Sequence, residues 1–409
     1  MVLVMTSKSK RILELGEIIK TITPPKKIQT SEFLDRGDYP IIDQSPPNVA
    51  GWTNDETALV HPPKDGLIVF GDHTCVLKFQ TKSFAQGADG IKIIEVKEDI
   101  NPHYVYAHLK AFPLLNDGYK RHFSELKRLK ILIPDSKSQD YISEIHRLID
   151  SKIDSNFALS KTLEDIAQAI FKSWFIDFDP AKAKMAGEKP VGMDDETAAL
   201  FPDSMKESEL GLVPNGWVVS SLDEISEYLN GLAMQRFPVT DEKTQLPVIK
   251  IAQLRAGNTH GADVASGLLD SRFIIKDGDI LFSWSGTLEV DTWTGGPGAL
   301  NQHLFKVTGR KVPDWFSYLS TKHFLAFFRE VARGKATTMG HIQRGHLSES
   351  KLAIPNLDLL NRVTEVIEPL ISLKIKTSIE SRVLAEIRDS LLPRLISGQL
   401  QIPEEMLAS

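Results

Sequence analysis

The sequence predicts an α+β protein built twice: two pseudo-symmetric globular domains of mixed strands and short helices, joined by two long antiparallel coiled-coil helices. Three observations predict this. The chain has 409 residues, too many for one hydrophobic core. Its segments recur in the same order, at offsets that grow slowly from 207 to 221 positions. Twice, the apolar period changes from strand-like runs to the alternating three-and-four spacing of a helix about 40 residues long.

The repeat is read from matched stretches. Leu15-Gly16-Glu17-Ile18 aligns with Leu222-Asp223-Glu224-Ile225, and YPIID (39–43) with LPVIK (246–250). KDGLIVFGDHT (64–74) aligns with KDGDILFSWSGT (276–287), and NPHYVYAHL (101–109) with VPDWFSYLS (312–320). LKILIPD (129–135) aligns with SKLAIPN (350–356), and TLEDIAQAIF (162–171) with VLAEIRDSLL (383–392). The boundaries follow: a first globular domain over 1–135, a first long helix over 136–179, a linker over 180–212, a second globular domain over 213–355 and a second long helix over 356–400.

Within each globular part, runs such as LIVF (67–70), IKIIEV (91–96), DILFSW (279–284) and HLFKV (303–307) are β-branched or aromatic and bounded by Gly or Asp, the pattern of strands. Pro102 and Pro313 each open a short aromatic helix, where the missing N–H costs nothing. A short strand, ILIP or LAIP, closes each part. Asp135 and Asn356 then stand as N-caps. The first helical seam runs through Ile142, Ile145, Ile149, Leu159, Leu163, Ile166 and Ile170. The second runs through Val363, Val366, Leu370, Leu373, Leu384, Ile387 and Leu391. Lys152, Asn156, Thr377 and Glu380 interrupt these seams, as register-fixing polar residues do. A helix of about 40 residues spans roughly 60 Å and cannot bury such a stripe alone, so the two helices pair.

Composition excludes several classes. One cysteine, Cys75, and the absence of CxxC or HxxxH spacing argue against a disulfide framework and a structural zinc, which fits a cytoplasmic protein. No apolar run approaches the ~20 residues of a membrane span, and MVLVM is far short of a signal core. The formal charge of −6 disfavours a uniformly basic nucleic-acid binder, but the distribution is uneven. GYKRHFSELKRLK (118–130) sets five Lys and Arg against the single acid Glu125, while 181–212 holds four lysines against seven acids.

Catalytic constellations are missing. NPHY (101–104) resembles the Asn-Pro-Pro-Tyr turn of adenine methyltransferases, but His103 replaces the second proline, the repeat has VPDW, and no glycine-rich cofactor turn precedes it. A helix start explains it better. TWTGGPG (292–298) lacks both phosphate-loop patterns and reads as a turn. Two segments instead carry residue types that bond phosphates and base edges, namely 118–130 and RGKATTMGHIQRGHLSESK (333–351). Candidate DNA-contacting residues are Lys120, Arg121 and His122 in the first copy, and Thr338, His341, Gln343 and Arg344 in the second. The loops FGDHT (70–74) and FSWSGT (282–287) form a second candidate surface, or plain hairpins.

QAIFKSWFIDFDP (168–180), the following AKAKMAGEKPVGMDDETAALFPDSMKESELGLVPNGW (181–217) and the closing RDSLLPRLISGQL (388–400) are similar to the central and C-terminal regions of type I restriction-modification specificity subunits, and the resemblance covers the whole chain. It implies two target-recognition domains, each reading half of a bipartite duplex DNA sequence, with the helix pair as a ruler for the spacer. It implies as partners two modification (methyltransferase) subunits and restriction (translocase/endonuclease) subunits. S-adenosylmethionine, ATP and magnesium are expected on those partners, and no cofactor, metal or catalytic residue on this chain. The apolar helix ends, Trp174, Phe175 and Phe178 with Leu392, Leu395 and Ile396, are expected to dock modification subunits. Two other readings remain. A two-domain coiled-coil interaction scaffold would show no sequence preference for DNA, and an intrinsic adenine methyltransferase would bind S-adenosylmethionine by itself.

Overall fold

The computed structural model describes residues 11–407 except 88–89, 98, 117, 119 and 335–339. The chain forms two compact units. The first comprises residues up to Lys152 together with those from Leu384 onward, and the second runs from Ile153 to Val383. Both long helices contribute residues to both units.

In the first unit, strand Arg11–Glu14 pairs antiparallel with Lys130–Ile133. The sheet that follows orders its strands Ile19–Ile22, Ile91–Val96, Leu67–Gly71, Leu77–Gln80. In a second sheet, Tyr39–Ile42 runs parallel to Phe84–Gly87 with Ile41 opposite Ala85, and Leu59–Val60 pairs antiparallel on the far side. The second unit repeats each step. Val218–Ser221 pairs with Lys351–Ile354, and the main sheet orders Ser226–Asn230, Leu304–Gly309, Ile280–Ser283, Val290–Thr292. In its second sheet, Gln245–Ile249 runs parallel to Gly298–Leu300 with Val248 opposite Ala299, and Ile274–Ile275 takes the place of Leu59–Val60. Even the capped turns before those last strands match, since the Asp55 and Asp270 carboxylates accept from the backbone N–H two residues on. The second unit adds helix Leu325–Gly334, which has no counterpart among the described residues of the first.

The proline-led helices form for local reasons. The Asn101 side-chain oxygen accepts from the N–H groups of His103 and Tyr104, at 2.9 and 3.2 Å, ahead of helix Pro102–Ala111. Its amide nitrogen donates to Asp140 at 2.8 Å. Both ends of the Asn101 amide are thus engaged in the fold, leaving NPHY a helix start. TWTGGPG is likewise a packed turn. The Trp293 indole donates to the Gly296 carbonyl, and a Cβ at Gly295 would lie 2.3 Å from the Trp293 ring. Arg382 reaches from the second long helix to the Thr294 carbonyl and to Asp277.

The long helices span Ser136–Phe171 and Leu357–Ser397, capped by Asp135 and Asn356. In the second unit Asn156 donates to Glu380 at 2.8 Å, and the Ser160 hydroxyl lies 2.7 Å from that of Thr377. Glu164 meets Lys374 at 2.9 Å. Rising numbers on one helix meet falling numbers on the other, so the segments are antiparallel and polar contacts set their register. In the first unit Arg388 donates to Asp150 at 2.7 Å, and beyond the second helix the Met406 sulfur accepts from the Tyr141 hydroxyl at 3.0 Å.

The central aromatic stretch closes the first helix against its own unit. After Phe171 the chain makes a π-helical turn, Lys172–Ile176, and Phe178 adopts the left-handed conformation with φ of 58°, which ends the helix. Phe175 lies 5.3 Å from the Phe316 ring and 5.9 Å from Trp217, and Trp174 lies 5.8 Å from Phe201. This corrects one expectation. Trp174, Phe175, Leu392, Leu395 and Ile396 are buried, and Phe178 is partly covered by Trp217, so these side chains build domain cores and present no docking surface. Exposed apolar side chains on the helices lie elsewhere, including Phe157 at 74% exposure and Leu373.

The span 180–212 is also more than a linker. It holds helices Asp179–Met185 and Asp195–Leu200, then the hairpin of Met205–Ser208 with Gly211–Pro214. Arg362 pins it through Asp194, Glu196 and Thr197. Part of its acidic excess is therefore spent on an ion-pair cluster.

Candidate nucleic-acid interface

The two candidate surfaces of each copy are one surface. In the first unit, the Asp72 carbonyl accepts from the His122 N–H at 2.8 Å and its carboxylate from the Phe123 N–H at 2.8 Å. The His73 ring lies 3.0 Å from the Lys120 carbonyl, and Asn116 donates to the His73 carbonyl at 3.1 Å. These bonds fold 118–130 over the FGDHT loop. Beside them opens a cleft of about 570 Å³ whose walls include Lys27, Gln44, His73, Lys92 and Arg121.

The second unit builds the same frame. Gly286 donates to the Gly340 carbonyl at 2.8 Å, Ile342 to the Trp284 carbonyl at 3.0 Å, and Ser285 bridges to His341. The Trp284 indole donates to Asn230 at 3.0 Å, and the ring packs near His303 and edge-on to His341. The Ser285 hydroxyl lies 3.0 Å from the His303 ring. Arg344 donates to the Tyr228 carbonyl at 3.2 Å while its guanidinium sits 5.5 Å over the Phe305 ring.

Arg121 is exposed on the cleft wall, and Gln343 and Arg344 are exposed in the second unit. His341 is half-buried against Trp284. Lys120 is exposed but ion-paired to Glu125 at 2.8 Å, which offsets its charge. His122 does not belong on the reading surface. Its ring is fully buried, 3.2 Å from the Gly118 carbonyl and 3.4 Å from Glu125, where it holds the loop. Thr338 lies outside the described residues.

Lys92, Asn230, Trp284, Gln302 and His303 join the candidate surface without having been singled out as residues, and Phe305 is buried beneath it. The repeat match 64–74 with 276–287 stops short of the next strand, where Lys92 and Phe305 occupy equivalent places. Asn, Gln, His, Lys and Arg supply the donors and acceptors that read base edges, and in the first unit Gln44, His73, Lys92 and Arg121 line the open cleft. Among the described residues, no group of three or more His, Cys, Asp or Glu is placed to hold a metal ion.

Comparison with known proteins places this architecture. Residues 214–387 match the sequence model of the type I restriction modification DNA specificity domain. The HindI specificity subunit of Haemophilus influenzae is 26% identical over 328 residues, covering 68% of this chain and 70% of that one. The MjaIX specificity subunit of Methanocaldococcus jannaschii is 23% identical over 97% of this chain and 94% of its own length. The crystal structure of the type I restriction-modification S subunit from M. genitalium shares the fold, with a TM-score of 0.53 at 12% identity, over 96% of this chain and 98% of that one. In its doubled architecture and in these matches, the chain is similar to the specificity subunits of type I restriction-modification systems.

Proposed function

We propose that this chain is the sequence-reading, non-catalytic subunit of a type I restriction-modification complex, in which each unit reads one half of a bipartite duplex DNA target. The observation that carries the reading is one backbone frame built twice with different side chains upon it. Asp72 stands where the second unit has Trp284, and Lys92 where it has Phe305. Two identical readers would specify a palindrome, whereas two readers sharing a scaffold but not a surface specify two unlike half-sites.

The paired helices set the spacer between the half-sites, so deleting or adding whole helical turns in both changes the spacer and leaves each half-site intact. Two modification subunits dock on the chain, with S-adenosylmethionine on them and ATP and magnesium on restriction subunits. The complex works in the cytoplasm; among the described residues no helix is long and apolar enough to cross a membrane.

The test is methylation mapping of DNA from cells making this chain with its modification subunit, against cells making that subunit alone. A bipartite adenine-methylated motif that appears only with this chain supports the proposal. No motif, from a verified complex with an active methyltransferase, refutes it.

A further inference from the structure

The two units place a cation against an aromatic ring at matching positions, with the partners exchanged. In the first unit Lys92 lies on the strand, opposite Phe70, and its ammonium sits 5.7 Å over the ring of Phe123, which opens the short helix Phe123–Lys127 and also carries Lys127 at 5.5 Å. In the second unit the ring, Phe305, lies on the equivalent strand, opposite Phe282, and the cation, Arg344, opens the short helix Arg344–Glu349. Each pair borders the frame that joins the two loops.

We infer that Lys92 in the first unit and Arg344 in the second are specificity-determining residues, each presented from an aromatic ring to a guanine in its half-site. The inference rests on the DNA-reading function proposed above. The aromatic face orients the cation without cancelling its charge, unlike the Lys120–Glu125 pair at 2.8 Å. Arg344 is further fixed by the neutral Tyr228 carbonyl at 3.2 Å through one terminal nitrogen. Lysine and arginine offer only donors, and the base edge presenting two adjacent acceptors in the major groove is guanine O6 and N7. Beside Arg344, the Trp284 indole occupies the Asn230 carbonyl oxygen, which fixes that amide's orientation.

The test uses the full chain co-expressed with its modification subunit and maps methylated motifs for wild type, Arg344→Lys, Arg344→Gln and Lys92→Gln. Arg344→Gln is expected to make one guanine position permissive in one half-site, with a roughly tenfold or greater loss of preference, and to leave the other half unchanged, whereas Arg344→Lys, which keeps guanine-matching donors, is expected to keep the guanine. Lys92→Gln is expected to relax a guanine in the other half. Arg344→Lys is the control that keeps the charge and the donors, and Lys92→Gln, in the other unit, carries the test if Arg344→Gln fails to fold. An unchanged motif in the glutamine variants, or methylation lowered evenly at every site with the motif intact, overturns the inference and assigns these cations to the phosphate backbone or to the fold. If the wild-type chain yields no bipartite motif, the DNA-reading function falls and this inference with it; if the wild-type motif is present, failure of the variants touches the residues alone.

Discussion

Replacing Glu164 by Gln should destabilise the second unit by about 3–5 kcal/mol, because it strands buried charge. Glu164, only 13% exposed on the first long helix, binds Lys374 of the second helix at 2.9 Å, bonds Lys322, and accepts from the Tyr318 hydroxyl at 2.8 Å. The Lys374 and Lys322 side chains are 7% and 16% exposed, and Asp291 is the other carboxylate paired with Lys374. Gln keeps the shape and removes the charge. Two ammonium groups then share one carboxylate that is itself 40% exposed. The pH dependence gives a second check. Burial, with Lys374 and Arg329 nearby, pushes Lys322 from its ordinary 10.5 down to about 7. A lysine whose folded pKa is lowered carries its full penalty below that value and loses it as pH rises toward 10.5. Wild-type stability should therefore rise above pH 7 by up to about 1.4 kcal/mol per unit. The assay is urea unfolding followed by tryptophan fluorescence, since Trp174, Trp217, Trp284, Trp293 and Trp315 all lie in the second unit. A loss below about 1 kcal/mol at pH 7, or a wild-type stability that does not rise between pH 7 and 9, would refute the reasoning.

Trp174→Ala should cost about 3–5 kcal/mol by emptying the pocket against Phe201, seen as a lowered urea midpoint rather than a selective loss of subunit assembly. Phe157→Asp should leave stability within about 0.5 kcal/mol, because the ring is largely exposed, while reducing co-purification with the modification subunit. Undiminished co-purification would remove that stretch of helix from the docking surface. Burial lowers His103 to about 3 and His108 to about 4, and His146 is lowered as well. These rings fold neutral, so stability should hold above the ordinary value of 6.5 and fall as pH drops below it, by at most about 1.4 kcal/mol per unit for each ring. Circular dichroism melts at pH 7.5 and 5.0 would show it, and His103→Phe should reduce the slope.

The repeat was legible because it needs only order and spacing. Strand pairs such as Ile41 with Ala85 and Val248 with Ala299 fall where the matched segments place them. The polar seam at Asn156 and Thr377 was legible too, since polar residues break an otherwise apolar period. Burial at the helix ends was harder to see. FKSWFIDFDP looks like an exposed apolar stripe until the π-turn and the left-handed Phe178 redirect it into its own core. His122 misled for a related reason, because a basic run gives no sign of which member turns inward. Arg344 stood out in the sequence as a member of its basic loop, whereas Lys92 did not, because the ring beneath it, Phe123, lies far along the chain on a short helix.

The first unit closes only when residues from the far end of the sequence reach it. Leu392, Leu395 and Ile396 share a core with Leu15, Tyr104 and Ile142, while the second unit is one uninterrupted stretch of chain. On a ribosome the later-numbered unit therefore has all its parts first, reversing the usual N-to-C order of domain folding. Until Leu384 and its successors emerge, the first unit's apolar interior lacks one wall and is open to proteases and chaperones. Nascent chains stalled before residue 384 should be cut readily within residues 11–152, and chains released with the closing helix should resist.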